Sequence, residues 1–148
     1  MTAEAPPRMR LRAADAEDFA VVAACLQSAL MPLGEMAYLA PEHRFVAVFD
    51  RFTWECATPG VERARDLYQV SAGLRFEGVS AVQVNGIDQT DKSRVLELLT
   101  LAARPGAVSL VFAGGGAVRL EGTQIVALLE DLGEARPAAV LPRTALGT

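Results

Sequence analysis

Tyr68-Gln-Val-Ser-Ala-Gly-Leu-Arg-Phe-Glu77 is the stretch from which the rest of this chain is best read. Tyr68, Val70, Ala72, Leu74 and Phe76 occupy one parity and Gln69, Ser71, Gly73 and Arg75 the other, the period-2 signature of a half-buried strand. Glu77-Gly78 turns the chain into a second strand, Val79–Val84, which the turn dipeptide Asn85-Gly86 ends. Strands joined by turns this short pair antiparallel, because a parallel pair needs a long crossover. Gly73 falls on the polar parity, where a missing side chain marks a bulge or the close approach of another segment.

Downstream, Asp88–Lys92 is a polar loop. Val95–Leu101 allows two readings. Val95, Leu98, Leu99 and Ala102 fit a helix face, and the leucine content favours one. The Arg104-Pro-Gly106 corner, with a strand straight after it, suits an antiparallel meander, and the strand is preferred. Val108–Phe112, Gly114-Gly-Gly116 and Ala117–Leu120 form a hairpin with Arg119 and Glu121 facing out. Thr123 then caps an amphipathic helix, Gln124–Leu132, with Ile125, Leu128, Leu129 and Leu132 on its apolar face and Gly133 at its C′ position.

Upstream, Arg44–Phe49 reads as a strand and Met36–Leu39 as a shorter one. Phe45, Ala47 and Phe49 share one parity, whereas Phe52, Trp54 and Cys56 take the other. A regular strand cannot switch parity without turning its apolar face outward. Asp50-Arg51 therefore calls for a β-bulge or a tight turn; the bulge is preferred, since Asp-Arg is poor hairpin chemistry, and it leaves Trp54 in the core. Thr58-Pro-Gly60 breaks the chain. At the N-terminal end Met9–Ala13 alternates as a short strand. Asp15 is a helix N-cap, supported by Glu17 and Asp18, and Phe19, Val22, Leu26 and Leu30 make one helical face stopped by Pro32 and Gly34.

The expected fold is α+β: a strongly bent antiparallel sheet, or partly open barrel, of about seven to eight strands, with an N-terminal helix and a C-terminal capping helix. That element order resembles the pleckstrin-homology type of barrel. One domain spans residues 9–133, and residues 1–8 and 134–148, rich in Pro, Ala and Gly, read as poorly ordered tails.

Composition narrows the function classes. The net charge is −4, and the only local basic cluster is Arg8, Arg10 and Arg12. Nucleic acid or anionic lipid would require a basic face, so neither is expected as a partner, and a phosphoinositide ligand by barrel analogy lacks the same cluster. No apolar run approaches the ~18–20 residues of a membrane span. Cys25 and Cys56 form no CxxC pair and read as buried thiols of a cytoplasmic protein. The 51% hydrophobic content is high for a soluble monomer. Either the core is thick or apolar surface is kept for a partner.

Few residues suggest chemistry. Gly114-Gly-Gly116 leads from strand to strand with no Lys and no helix after it, which is a turn and not a phosphate loop. His43 is the single histidine, set in a polar turn far from either cysteine, so no metal site or catalytic triad is expected. Asp50, Arg51, Glu55 and Arg75 gather around the presumed bulge and are the candidate ligand-binding residues, with no catalytic set and no cofactor assigned.

The blocks Arg51-Phe-Thr-Trp-Glu55, Leu74-Arg-Phe76 and Leu110-Val-Phe-Ala-Gly-Gly-Gly-Ala-Val-Arg-Leu-Glu121 resemble a family of uncharacterised alphaproteobacterial proteins. The Asp15–Asp18 helix start and Leu129-Glu-Asp-Leu132 fit that family too, so the resemblance covers nearly the whole folded core. It implies a bacterial cytoplasmic protein and no activity, cofactor or catalytic residue. The leading expectation is a non-enzymatic binding or protein-interaction module, with a homodimer formed through one edge strand or helix face. The alternative is a small enzyme or small-molecule-binding protein using the groups around Asp50-Arg51.

Overall fold

The alternating stretch lies in the middle of the sheet. In the computed structural model, which describes residues 9–53, 68–134 and 136–137, strand β5 (Tyr68–Glu77) is flanked by β4 (Arg44–Phe52) on one side and β10 (Val126–Asp131) on the other, both antiparallel. Val70, Ala72, Leu74 and Phe76 are buried as their parity requires. Before them in the chain come β1 (Arg10–Ala13), helix α1 (Ala16–Cys25), β2 (Leu30–Pro32) and β3 (Met36–Leu39). After β5 come β6 (Ala81–Asn85), β7 (Val95–Arg104), β8 (Ala107–Phe112) and β9 (Ala117–Glu121), and the two-residue β11 (Arg136–Pro137) follows β10. The strands run in the spatial order β1-β10-β5-β4-β2-β7-β8-β9-β6, with β11 beside β5 and β3 beside β4. Among the described residues the sheet does not close, and β1 and β6 are its two ends.

Helix α1 starts as its sequence dictates. Asp15 has extended backbone, and its side chain accepts the Asp18 amide at 2.9 Å, with Glu17 and Asp18 in the first turn. Phe19, Val22 and Cys25 are its buried face, packed on β7 and β1. Asp15→Ala should destabilise the domain by about 1 kcal/mol in urea unfolding. A change below a few tenths would show that the cap is dispensable.

The helix is shorter than its apolar periodicity suggests. It ends at Cys25, and Ser28 adopts φ 62° while its amide bonds to the Leu98 carbonyl at 3.0 Å. Leu30, expected on the helical face, begins β2 and pairs with Asp50 and Glu97. The i+11 position coincided with a strand residue that is apolar for its own reasons.

The larger correction concerns the C-terminus. Gln124–Leu132 contains no capping helix; Val126–Asp131 is strand β10, paired to β5 and β1. Ile125, Ala127, Leu129 and Asp131 are its buried parity. An aspartate at the end of that row broke the alternation in the sequence, and Leu128 beside Leu129 imitated a helix. With this helix goes the feature that suggested a pleckstrin-homology barrel. The strands are also more numerous than the expected seven to eight: ten of three or more residues and the short β11. The sheet continues through β11, past the expected Gly133 boundary.

Nor does β4 carry the expected bulge. Its register with β5 runs unbroken from Arg44↔Glu77 to Phe52↔Gln69. The parity conflict is resolved by chemistry. Arg51 takes the inward position after Phe49 and is fully buried, while Phe52 on the opposite parity is buried as well. Both faces of the strand are covered at this end. A register shift does occur in β7, between Leu98 and Thr100, and it leaves Leu99 exposed.

Other expectations hold. Val95–Leu101 is strand, and Met36–Leu39 is β3. The glycine run is the β8–β9 turn, with Gly114 and Gly115 at φ 93° and 96° and the Phe112 amide bonded to the Gly116 carbonyl at 2.8 Å. Gly73 marks a close approach, since Leu132 lies over it with methyl carbons 3.5 Å from where a Cβ would stand. In the polar loop Thr90 donates both its hydroxyl and its amide to Asp88, which holds that carboxyl below its usual range. Trp54, Cys56 and the Thr58–Gly60 break lie outside the described residues.

Candidate functional site

The four residues that sequence reasoning gathered around the bulge are distributed differently by a continuous β4. Arg51 points into the core, where Nε meets Asp131 Oδ1 and Nη2 meets Asp131 Oδ2, each at 2.8 Å. Its Nη1 donates to the Phe52 carbonyl at 3.2 Å, and Asp131 Oδ2 also accepts the Met9 amide at 2.8 Å. This is a two-pronged ion pair with both side chains almost wholly out of solvent. Such a pair holds β4, β10 and the start of β1 in one arrangement.

Asp50 faces the other way. It accepts the Ser71 hydroxyl at 3.0 Å and lies 3.4 Å from Arg136 on β11. Arg75 shares that outward face but sits opposite Val46, whereas Asp50 sits opposite Ser71. Four strand residues separate the two registers, roughly 13 Å. Arg75 is instead 3.1 Å from Glu77, which also takes Arg44. Glu55 lies outside the described residues. Asp50, Arg51 and Arg75 therefore do not converge on one point. His43 is exposed in a turn at φ 52°, its amide bonded to the Ala40 carbonyl and its carbonyl to the Val79 amide. Among the described residues no group of three or more His, Cys, Asp or Glu could hold a metal ion. No helix among them is long and apolar enough to cross a membrane.

A concave site exists elsewhere. A cleft of about 540 Å³ opens where the start of α1, the β7–β8 turn and the β9–β10 connection meet. Phe19, Val108 and Ile125, all buried, give it an apolar base. Arg12 of β1, Arg104 at the end of β7, Thr123 and Gln124 supply polar groups to its lining. The Gly122 amide bonds to the Gly106 carbonyl at 3.1 Å and ties two of these segments together. The lining joins residues about a hundred positions apart, so the sequence carried no local signal for it; the Arg104-Pro-Gly106 corner was visible only as a turn. A smaller groove of about 260 Å³ lies on the outward face of β4, β5 and β10, beside Arg75 and Leu132.

A family model described as protein of unknown function, DUF2948, matches residues 9–144. The chain belongs to this family. No curated protein and no solved structure matches it.

The two ends of the DUF2948 sheet differ in chemistry. The β1 end carries exposed Arg10 and Arg12, with Arg10 3.0 Å from Glu130. Charges of this kind discourage a second chain from pairing. The β6 end is Ala81-Val-Gln-Val-Asn85, with no charge and no proline, and among the described residues it pairs only with β9. Val82 and Val84 turn towards the core, and Gln83 and Asn85 are exposed.

Proposed function

We propose that this DUF2948 domain is a non-enzymatic interaction module of the cytoplasm that pairs with a second copy of itself through β6. The observation that carries the reading is the uncharged, unguarded β6 edge at one end of a sheet whose other end is guarded by arginine. Free N–H and C=O groups along such a strand are a template for another strand. A two-fold axis makes the pairing antiparallel, and cyclic dimers are the commonest soluble assembly. The 51% hydrophobic content supports a retained interface. A non-enzymatic reading is supported by the dispersal of Asp50, Arg51, Arg75 and His43, the groups that the sequence offered for chemistry.

With the two-fold axis at Gln83, that residue faces its own copy. Light scattering coupled to gel filtration should give the mass of two 15.7 kDa chains at micromolar concentration. Gln83→Lys should dissociate the dimer, because like charges directly opposite are destabilising. An equimolar mixture with Gln83→Asp should restore it. A single-chain mass for the unaltered protein across the concentration range sinks the proposal.

A further inference from the structure

We infer that the cleft at the start of α1 binds a small amphipathic organic anion, a carboxylate or phosphate monoester carried on an apolar body. This inference is independent of the β6 edge. The first support is the distribution of unpaired cations. Arg10, Arg44, Arg51, Arg75, Arg119 and Arg136 each lie within ion-pair distance of a carboxylate. Among the described residues Arg12, Lys92, Arg94 and Arg104 have no such partner, and two of these four line the same cleft. In a chain of net charge −4 that placement runs against the overall balance.

The carboxylate in the lining, Asp15, already accepts the Asp18 amide. The cationic donors for an incoming anion are the two guanidinium groups, whose planar forks match carboxylate and phosphate oxygens, and Thr123 and Gln124 add neutral donors to the same lining. The second support is the base. Phe19, Val108 and Ile125 reach the floor of the cleft and Ala103, Pro105 and Ala107 complete the apolar part of its lining, which an inorganic ion would not use. A volume of about 540 Å³ suits a ligand of small-molecule size.

Anilinonaphthalene sulfonate, an aromatic body with one anionic group, is the probe. Its fluorescence should rise saturably with one site per chain and fall back as salt screens the arginines. Arg12→Gln with Arg104→Gln should weaken binding at least about ten-fold, the loss of two charge-assisted contacts. Arg94→Gln, the unpaired arginine outside the cleft, should leave binding unchanged. All three substitutions fall on exposed side chains, and unchanged circular dichroism confirms the fold of each variant. Octanoate and octyl phosphate should displace the probe where acetate and inorganic phosphate do not, and the better of the two long-chain competitors identifies the head group. No saturable binding, binding indifferent to the double substitution, or equal displacement by inorganic phosphate overturns the inference.

Discussion

Asp131→Ala is expected to destabilise the domain by about 3–5 kcal/mol, the cost of removing one member of a buried ion pair. Arg51 has no exposed surface, and Asp131 meets two of its nitrogens at 2.8 Å. Without that carboxylate the buried Nε and Nη2 groups of Arg51 lose the acceptor they share. The Met9 amide loses its acceptor at the same time. Urea unfolding measures the effect. The double substitution Arg51→Met with Asp131→Leu should recover most of the loss, since apolar replacements of similar size remove both charges together. A loss under about 1 kcal/mol for Asp131→Ala alone would show that the burial of Arg51 does not depend on this carboxylate.

Gly122→Ala should cost about 3 kcal/mol, at the upper end of overpacking effects. A methyl group at Gly122 would overlap the Gly78 carbonyl oxygen, and one at Gly78 would overlap the Gln124 carbonyl oxygen. The β5–β6 turn and the β9–β10 connection thus cross with backbone against backbone, and no flexible side chain is available to move aside. Gly122 has no positive φ, so the penalty there is purely steric. Gly106 provides the comparison. Its φ is +84° but the space around it is open. Gly106→Ala should therefore cost only the ~1–2 kcal/mol of the left-handed backbone. If thermal unfolding ranks the two variants equally, the crossing is looser than described.

Much of the fold was legible because alternation over β5, β8 and β9 is nearly pure and the turn glycines stand where the hairpins need them. The expected bulge and the expected C-terminal helix failed for one cause. Arg51 and Asp131 occupy inward positions, and each disrupted the period-2 pattern of its strand: one suggested a bulge, the other a helix. A pattern of apolar residues cannot register two charges that cancel across 80 positions. Arg51 and Arg75 were noticed for their charge, and the structure gives each a carboxylate partner. Arg12 was noticed only as part of the basic cluster with Arg8 and Arg10, and Arg104 only as a turn residue, because what brings them together is a cleft assembled in space.

The spatial order of the strands also fixes an order in time. β1 is made first but pairs with β10, so its edge stays bare while over a hundred further residues are synthesised. At about 5–20 residues per second that interval is on the order of ten seconds on the ribosome. Arg51 likewise lacks the Asp131 carboxylate until β10 is made, 80 positions later. Arrival of β10 supplies that carboxylate and fills the place between β5 and β1, so of the described strands the last long one to emerge gives the first its partner.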